Sequence, residues 1–443
     1  MCDNPIILNL HLRLWDSYIA VLDVRPPESA EGRRDGCGYP PSFARRQNIG
    51  NGILGFYFYA KNLKLSKERY KIEKKFDMLY NEKNAMREGE KNMGMKTSAY
   101  GKTADGKQVT IVTVVNDKGM GMEVMDYGAT LVSVTVPGKD GKLRDVVLGY
   151  DDVADYMRHG GYLGATIGRN GNRIGKSVVT IGGKEYQMDK NEGENDLHSG
   201  FHGFDKRIWE MEFNEDKLSV TFKLHSPDGD QGLPGNVDVK VTYTLTEENA
   251  IQIHYEGTPD ADTILNMTNH SYFNLDGHDS GDVLKQKLWL DADAYTVVDA
   301  ESIPTGENAS VEGTPMDFRI EKTIGRDIED DFEQLKLTDG YDHNFVLNHQ
   351  GEGIRRVAKG TGAQSGIVME VYTDLPGVQF YTANFVTPEQ IGKGGCAYDK
   401  RTAFCLETQV YPDANHHENF PTSIVKAGEK YETTTIYRFS LEH

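Results

Sequence analysis

The feature that most constrains this chain is a series of short segments in which apolar and polar residues alternate. The segment VDVKVTYTLT is typical, and its period of two gives a strand one apolar and one polar face. Its apolar positions are Val237, Val239, Val241, Tyr243 and Leu245. Such segments recur from Thr97 onward between Gly, Asp and Asn turns, and helical periodicity is scarce. The sequence therefore predicts an all-β protein folded as a large antiparallel β-sandwich.

A change in composition near residue 95 divides the chain into two parts. Residues 1–95 carry 16 Lys and Arg against 12 Asp and Glu, whereas the remaining residues carry 33 against 56. Residues 24–50 are rich in Pro, Gly and Arg, which indicates irregular chain, and residues 64–92 have the spacing of a short amphipathic helix. We therefore predict a poorly structured or partly helical N-terminal extension over 1–95 and a sandwich domain over 96–443.

The extension contains no group of residues suited to catalysis, so its role is open. It could bind a partner. Alternatively, the functional polypeptide could begin at Met86, Met93 or Met95.

Composition also limits the partners and the compartment. A formal net charge of −19 and a pI near 5.2 disfavour nucleic acid, because an acidic surface repels a polyanion. The four cysteines have no zinc or CxxC spacing and are too few for a disulfide framework, which favours reduced thiols. No segment approaches the ~18 apolar residues of a membrane span, and the N-terminus lacks the pattern of a secretory signal. We therefore predict a cytoplasmic protein that binds neither nucleic acid nor membrane.

Four stretches carry polar residues that turns do not explain, and the first two supply cations and imidazoles. GATIGRNGNRIGK contains Arg169 and Arg173, either of which could instead brace a loop. The stretch is a poor phosphate loop, because its flanks do not have the strand–loop–helix pattern of a phosphate-binding motif. NDLHSGFHGFDKRIW contains His198 and His202, four residues apart, but its glycines disfavour the helix that would put both on one metal ion. A loop that presents one imidazole to a pocket fits this segment better.

The other two stretches place ionisable side chains in apolar strands. His270, in TNHSYFNLDGH, has three possible roles: a packed core histidine, a metal ligand or a proton donor. Glu407 follows the apolar run Phe404, Cys405 and Leu406. Burying an unpaired carboxylate is costly, so Glu407 must be hydrogen-bonded or have a raised pKa, which would suit a general base. Together the four stretches predict a pocket for proton transfer on a neutral, hydroxyl-rich ligand.

At these stretches the chain resembles the aldose 1-epimerases, also called galactose mutarotases. The resemblance spans roughly residues 97–443 and is carried, in order, by GRNGNRI, NDLHSGFHGFDK, TNHSYFNL, GYDHNFVL, LPGVQFYTANF, and LETQVYPDANHHENFP followed by AGEKYETTTIYRF. One departure is HSG at 198–200, where the family usually has HGG, and only a modest backbone adjustment is expected there. The family fold is a large antiparallel β-sandwich with its active site in a cleft of the concave sheet face.

The resemblance implies a role for each matching residue. Glu407 resembles the general base, His270 the general acid and His198 a second pocket histidine that hydrogen-bonds the sugar. The matching sugar-binding positions are Arg173, Asn172, Asp342 and Gln379. His343 is expected to be structural, because alternation turns it away from the face of Asp342.

The implied reaction interconverts the α and β anomers of free aldohexoses such as glucose and galactose. Ring opening and reclosure need an acid and a base but neither a metal nor a cofactor. Two rivals are a hexose-6-phosphate 1-epimerase, which would want further cations in the pocket, and a non-catalytic carbohydrate-binding sandwich. A monomer or a weak dimer is compatible with the sequence.

Overall fold

A computed structural model of the chain describes residues 8–11, 21–24 and 94–442. The chain divides into two units, Met1–Glu90 and Lys91–His443, and each is described by itself.

In the first unit, strands β1 (Leu8–His11) and β2 (Val21–Val24) form an antiparallel pair. The helix predicted over residues 64–92 lies outside the described residues, as does almost all of the segment predicted to be irregular.

The described part of the second unit consists mainly of strands. In chain order the first of them are β3 (Gly94–Lys102), β4 (Gln108–Val115), β5 (Gly121–Met125), β6 (Thr130–Pro137), β7 (Leu143–Asp145), β8 (Thr166–Ile167), β9 (Arg173–Ile174), β10 (Val178–Ile181), β11 (Lys184–Gln187), β12 (Asp196–Leu197), β13 (Glu210–Asn214), β14 (Ser219–Ser226) and β15 (Val237–Leu245). They are followed by β16 (Ala250–Pro259), β17 (Thr263–Ile264), β18 (Thr268–Asn269), β19 (Lys287–Leu290), β20 (Ala292–Val298), β21 (Pro304–Ser310), β22 (Lys322–Thr323), β23 (Asp342–Leu347), β24 (Arg355–Thr361), β25 (Ile367–Thr373), β26 (Gly377–Tyr381), β27 (Cys405–Gln409), β28 (Ile424–Val425) and β29 (Tyr431–Leu441). The α-helices of this part of the chain are short: α1 (Val153–His159) and α2 (Glu333–Leu337).

Three antiparallel sheets contain most of these strands. The first is a five-stranded meander, β3-β4-β5-β6-β7, and the second has nine strands in the order β13-β14-β15-β16-β29-β25-β24-β19-β22. The third, which we call the site sheet, has the order β21-β20-β23-β26-β27. None of the described helices is long and apolar enough to cross a membrane.

One apolar core joins the three sheets. In β15 every second side chain is buried, which confirms the alternation predicted for VDVKVTYTLT. Val124 of the meander, Val241 of the nine-stranded sheet and Phe380 of the site sheet belong to the same buried cluster. The Tyr437 hydroxyl of β29 also donates to the Leu406 carbonyl of β27 at 2.9 Å, which links two sheets. The predicted all-β antiparallel sandwich is therefore confirmed.

The first strand of the sandwich begins before the boundary predicted at residue 95. β3 starts at Gly94 and pairs with β4 along its length, and Met95 packs against the core. The predicted boundary thus falls within β3.

Candidate active site

One face of the site sheet carries polar side chains, and the other faces the apolar core. The register of β26 and β27 places Gln379 directly opposite Glu407, so both side chains emerge on the same face. The Gln379 amide Nε2 donates to Asp342 Oδ1 on β23 at 2.7 Å, which brings the third polar group to this face. The intervening residues Phe380 and Leu406 belong to the core. Alternation along the three strands therefore places polar side chains on one face of the site sheet and core side chains on the other.

Glu407, the predicted general base, lies in the middle of β27. It is 2% exposed, and its Oε2 has no hydrogen-bond partner among the residues that the structure describes. Burial and the nearby Asp342 raise the pKa of Glu407 well above its usual value, although Arg173 opposes the shift. A buried carboxyl group with a raised pKa is a stronger base than an exposed one, as proton removal from a hydroxyl requires.

His270, the predicted general acid, directly follows the short strand β18. Its backbone N–H donates to the Ala165 carbonyl at 2.9 Å, and its carbonyl accepts from the Gly164 N–H at 2.8 Å, so the chain is fixed on both sides of the ring. The ring nitrogen Nε2 lies 3.6 Å from Glu407 Oε1. The other nitrogen, Nδ1, lies 3.7 Å from the sulfur of Cys405. An imidazole and a carboxyl group 137 positions apart in sequence are thus brought together.

Aromatic rings surround His270. Tyr272 and Tyr162 lie nearly parallel to its imidazole, with ring centroids 5.0 Å and 5.8 Å away. The ring of His198 meets it edge-on at 5.2 Å. Burial among these rings lowers the pKa of His270 to about 4. The surrounding rings therefore position the imidazole of His270, and burial among them favours its neutral form.

His198 is held in one orientation by the neighbouring loop. Its backbone has φ of 54°, and its N–H donates to the Asn172 carbonyl at 3.1 Å. The Asn172 N–H in turn donates to His198 Nδ1 at 3.0 Å. Because Nδ1 accepts, the proton of the neutral ring resides on Nε2, which is therefore a donor. Burial, followed by the nearby His270, lowers the pKa of His198 well below its usual value.

The serine that departs from the family pattern fits this loop. Ser199 has φ of 64°, in the left-handed region that favours glycine. Its buried hydroxyl accepts a hydrogen bond from the Asn170 N–H at 2.8 Å. The loop keeps the glycine-like conformation and gains a polar contact.

The two arginines of the glycine-rich stretch have different surroundings. Arg169 is fully buried, and its guanidinium donates to the carbonyls of Ser226, Pro227, Pro234 and Gly235, which makes it a brace for loops.

Arg173, by contrast, lines the pocket and makes a bidentate ion pair with Glu192. Its Nε lies 2.6 Å from Oε2 of Glu192, and its Nη2 lies 2.9 Å from Oε1. Its Nη1 is 3.7 Å from Asp342 Oδ2. Burial opposes the charge of Arg173, but Asp342 and Glu192 outweigh it and raise its pKa.

A metal site was one of the roles left open by the sequence. One nitrogen each of His198 and His270 and an oxygen of Glu407 lie within 4.8 Å of one another, a grouping that the sequence spacing did not reveal. A histidine that binds a metal usually donates its other ring N–H to an acceptor. His198 Nδ1 instead accepts from the Asn172 N–H, which leaves the proton on Nε2 and disfavours this nitrogen as a ligand. His202 is exposed and belongs to a short 3₁₀ turn.

His343 lies on the core side of β23. It is fully buried, and its ring meets Tyr295 edge-on at 5.9 Å. Burial lowers its pKa to about 3. Its position agrees with the structural role expected from alternation.

The seven predicted site residues all line one pocket, together with groups that sequence reasoning missed. The lining comprises Gly161, Tyr162, Asn172, Arg173, Glu192, Leu197, His198, His270, Tyr272, Asp342, Gln379, Tyr381, Phe385, Val386, Gln390 and Glu407. Glu192 and Tyr162 were not predicted. Glu192 lies in a turn rich in charged residues, and Tyr162 follows two glycines, so neither differs from an ordinary loop residue in the sequence.

The fold and the pocket together define a β-sandwich protein with a buried carboxyl group and a buried imidazole side by side in one pocket. The aldose 1-epimerase family model matches residues 110–438. The chain is 41% identical to galactose mutarotase of Bos taurus over 72% of this chain and 91% of that protein. It is 40% identical to aldose 1-epimerase of Escherichia coli over 76% of this chain and 97% of that protein.

Solved structures agree with the sequence relatives. A galactose 1-epimerase from Lactobacillus acidophilus has a TM-score of 0.70 at 28% identity, and the match covers 80% of this chain and all of that one. An aldose epimerase homologue from C. elegans has a TM-score of 0.68 at 31% identity, covering 75% of this chain and 98% of that one. The chain belongs to the aldose 1-epimerase family.

Proposed function

We propose that this chain interconverts the α and β anomers of free aldohexoses such as glucose and galactose, with Glu407 as general base and His270 as general acid. It is an isomerase of the aldose 1-epimerase class, and its substrate is a sugar. The observation that carries the residue assignment is the 3.6 Å separation of His270 Nε2 and Glu407 Oε1, since both groups are buried in one pocket.

The proposed reaction needs two proton transfers in each direction. Glu407 removes the proton of the C1 hydroxyl while His270 protonates the ring oxygen, and the bond between C1 and the ring oxygen breaks. Rotation about C1–C2 in the open aldehyde exposes the other face of C1. Reclosure then returns both protons. General acid and base catalysis supply about 10²–10⁴-fold for each group.

The other pocket residues bind the sugar in this proposal. His198 donates from Nε2 to a sugar oxygen, because its Nδ1 is already engaged by the Asn172 N–H. Asp342 and Gln379 are coupled by a 2.7 Å hydrogen bond and present acceptors and donors to hydroxyl groups. Asn172 contributes mainly through its backbone, which fixes His198. Arg173 is the remaining residue proposed to bind the sugar.

The charges of the pocket favour a free sugar over a 6-phosphate. Arg173 is the one cationic residue among those that line the pocket in the described part of the chain, and it is already paired with Glu192 and close to Asp342. A phosphate dianion would need cations that are not already engaged. The charges of the pocket therefore favour epimerisation of free sugars, and activity on hexose 6-phosphates is the rival that the assay below tests.

Polarimetry tests the proposal directly. Freshly dissolved α-D-glucose and α-D-galactose should reach rotational equilibrium faster with the protein, and their 6-phosphates should not. Acceleration with the phosphates alone would favour the rival enzyme, and no acceleration with any of the sugars would favour a carbohydrate-binding sandwich. Glu407→Gln should remove most of the activity without unfolding the protein. Turnover near that of the wild type in this variant would refute the role of Glu407.

The compartment and the assembly state are further parts of the proposal. Cys396 and Cys405, the cysteines within the described residues, are unpaired, which supports a reducing cytoplasm. The net negative charge of the chain supports the proposal that nucleic acid is not among its partners. A monomer or weak dimer is proposed, and sedimentation at several concentrations would test it.

A further inference from the structure

We propose that Glu192 sets the charge specificity of the pocket, so that neutral aldoses are accepted and aldoses that carry a carboxylate or phosphate are rejected. The inference rests on the proposed function, because it concerns which sugars reach the same acid–base pair.

Glu192 engages the edge of Arg173 that would otherwise be available to an anion. The two contacts, 2.6 Å from Nε and 2.9 Å from Nη2, form the parallel, bidentate geometry in which arginine binds carboxylates most strongly. The remaining Nη1 lies 3.7 Å from Asp342 Oδ2. Arg173 therefore faces two carboxyl groups of the protein before any ligand enters.

Among the described residues, the rest of the pocket lining offers an anion no second Lys or Arg side chain. In the part of the chain that the structure describes, this lining contains three acidic residues, Glu192, Asp342 and Glu407, and one arginine. The nearby ammonium of Lys206 lies 3.3 Å from Asp205 Oδ2 and donates to the Gly200 carbonyl. A ligand carboxylate or phosphate would meet like charge in a setting partly shielded from water, where Coulomb interactions are stronger than in bulk solvent.

The side chain of Glu192 can be changed without rebuilding its loop. Glu192 and Asn195 exchange backbone hydrogen bonds of 3.1 Å and 2.9 Å, which close the turn independently of the carboxylate. The side chain is 36% exposed, so glutamine can occupy the same space. Glu192→Gln therefore removes the charge while keeping the shape.

The same loop supplies a matched control. Glu194 lies two residues away, pairs with Lys190 at 2.5 Å, is 73% exposed and does not line the pocket. Glu194→Gln removes an equal charge from the same loop, so any effect of overall charge would appear in both variants.

The test compares an anionic aldose with a neutral one of nearly equal shape. The full chain and the two variants are assayed by polarimetry at pH 7 and low salt with α-D-galacturonate, its methyl ester and α-D-galactose. In the wild type we expect kcat/KM for the ester to exceed that for the acid by about tenfold or more. Glu192→Gln should reduce this ratio severalfold, and Glu194→Gln should leave it unchanged. Ratios within one variant cancel any general loss caused by movement of Arg173.

Several outcomes would overturn the inference. One is a ratio in Glu192→Gln equal to that of the wild type, even if activity on galactose falls, since Glu192 would then only position Arg173. Another is an equal reduction of the ratio in Glu194→Gln. If Glu192→Gln does not fold, the wild type decides: added salt should lower its ester-to-acid ratio, and a ratio unaffected by salt would refute the electrostatic origin. A wild type without activity on galactose would instead refute the proposed function itself.

Discussion

At the scale of single residues, the central feature is a buried carboxyl group whose Oε1 lies 3.6 Å from the Nε2 of a buried imidazole. Burial raises the pKa of Glu407 and lowers the pKa of His270 to about 4, so both groups favour their neutral forms. The neutral pair and the ion pair contain the same number of protons and differ only in where one proton resides. In the proposed mechanism, the reactive form with Glu407 charged and His270 protonated would therefore contain as many protons as the neutral pair.

The first prediction is a bell-shaped dependence of kcat/KM on pH. Below the acid limb both groups are protonated, so Glu407 cannot accept a proton. Above the alkaline limb both are deprotonated, so His270 cannot donate one. The two apparent pKa values belong to the pair, because the groups lie 3.6 Å apart. Polarimetric rates measured from about pH 4 to about pH 10 test this, and a rate that only rises or only falls over that range would contradict it.

The second prediction concerns the nitrogen that His198 presents to the sugar. We expect His198→Gln to keep more activity than His198→Asn, because a glutamine amide reaches the position of Nε2 and can still donate there. Loss of a donor that stabilises the transition state costs about 10²–10³-fold in kcat, so His198→Asn should approach that loss. Thermal unfolding of both variants provides the control for folding. Equal losses in two stable variants would show that Nε2 is not the relevant donor.

At the scale of elements, the side chains of β27 alternate between the apolar core and the pocket. Leu406 packs in the core, whereas the next side chain, Glu407, enters the pocket. Adjacent residues of one strand therefore have opposite surroundings, and their substitution should have opposite effects.

The third prediction compares these two neighbours. Leu406→Ala should destabilise the protein by about 2–5 kcal/mol through lost burial and a cavity. Glu407→Gln should not destabilise it, because the variant no longer buries an ionisable group with an unpaired oxygen. The folded-state pKa of Glu407 is raised, so the wild type loses stability as pH rises through that pKa, and the variant does not. Denaturant unfolding at several pH values measures both effects; a large loss of stability in Glu407→Gln would contradict the assignment.

Local patterns in the sequence predicted the strands, but not the contacts between distant ones. Alternation predicted the buried face of β15 and the orientation of His343, because both depend on residues two apart. The distance between His270 and Glu407 depends on how sheets pack, and no local pattern encodes it. The same limit explains why residue patterns alone did not distinguish Arg169 from Arg173, which only the family resemblance separated. It also explains why Glu192 was missed, since an arginine's partner can come from any loop.

At the scale of the whole molecule, family similarity covers only part of the chain. The alignment with the Bos taurus relative uses 72% of this chain but 91% of that protein. The family model begins at residue 110, after the predicted extension. The proposed acid–base pair and the other residues that line the pocket all belong to the second unit.

The fourth prediction is that the second unit alone is an active enzyme. A protein that starts at Lys91 keeps β3 and the contact of Met95 with the core, so its kcat/KM for galactose should equal that of the full chain. A protein that starts at Gln108 loses β3 and exposes the edge of β4, and it should be less stable. Polarimetry and thermal unfolding of the two truncations measure this. Loss of activity in the protein that starts at Lys91 would assign a role in catalysis to residues 1–90.

If the sugar binds at Glu407 as proposed, the unpaired oxygen of this residue would also connect substrate supply to the lifetime of the protein. A sugar hydroxyl that donates to Oε2 would satisfy a buried acceptor that none of the described residues satisfies. A ligand that binds only the folded state adds stability in proportion to the logarithm of its concentration above Kd. Cells rich in the sugar would then hold the enzyme folded and resistant to proteolysis, whereas starvation would shorten its half-life without any change in gene expression.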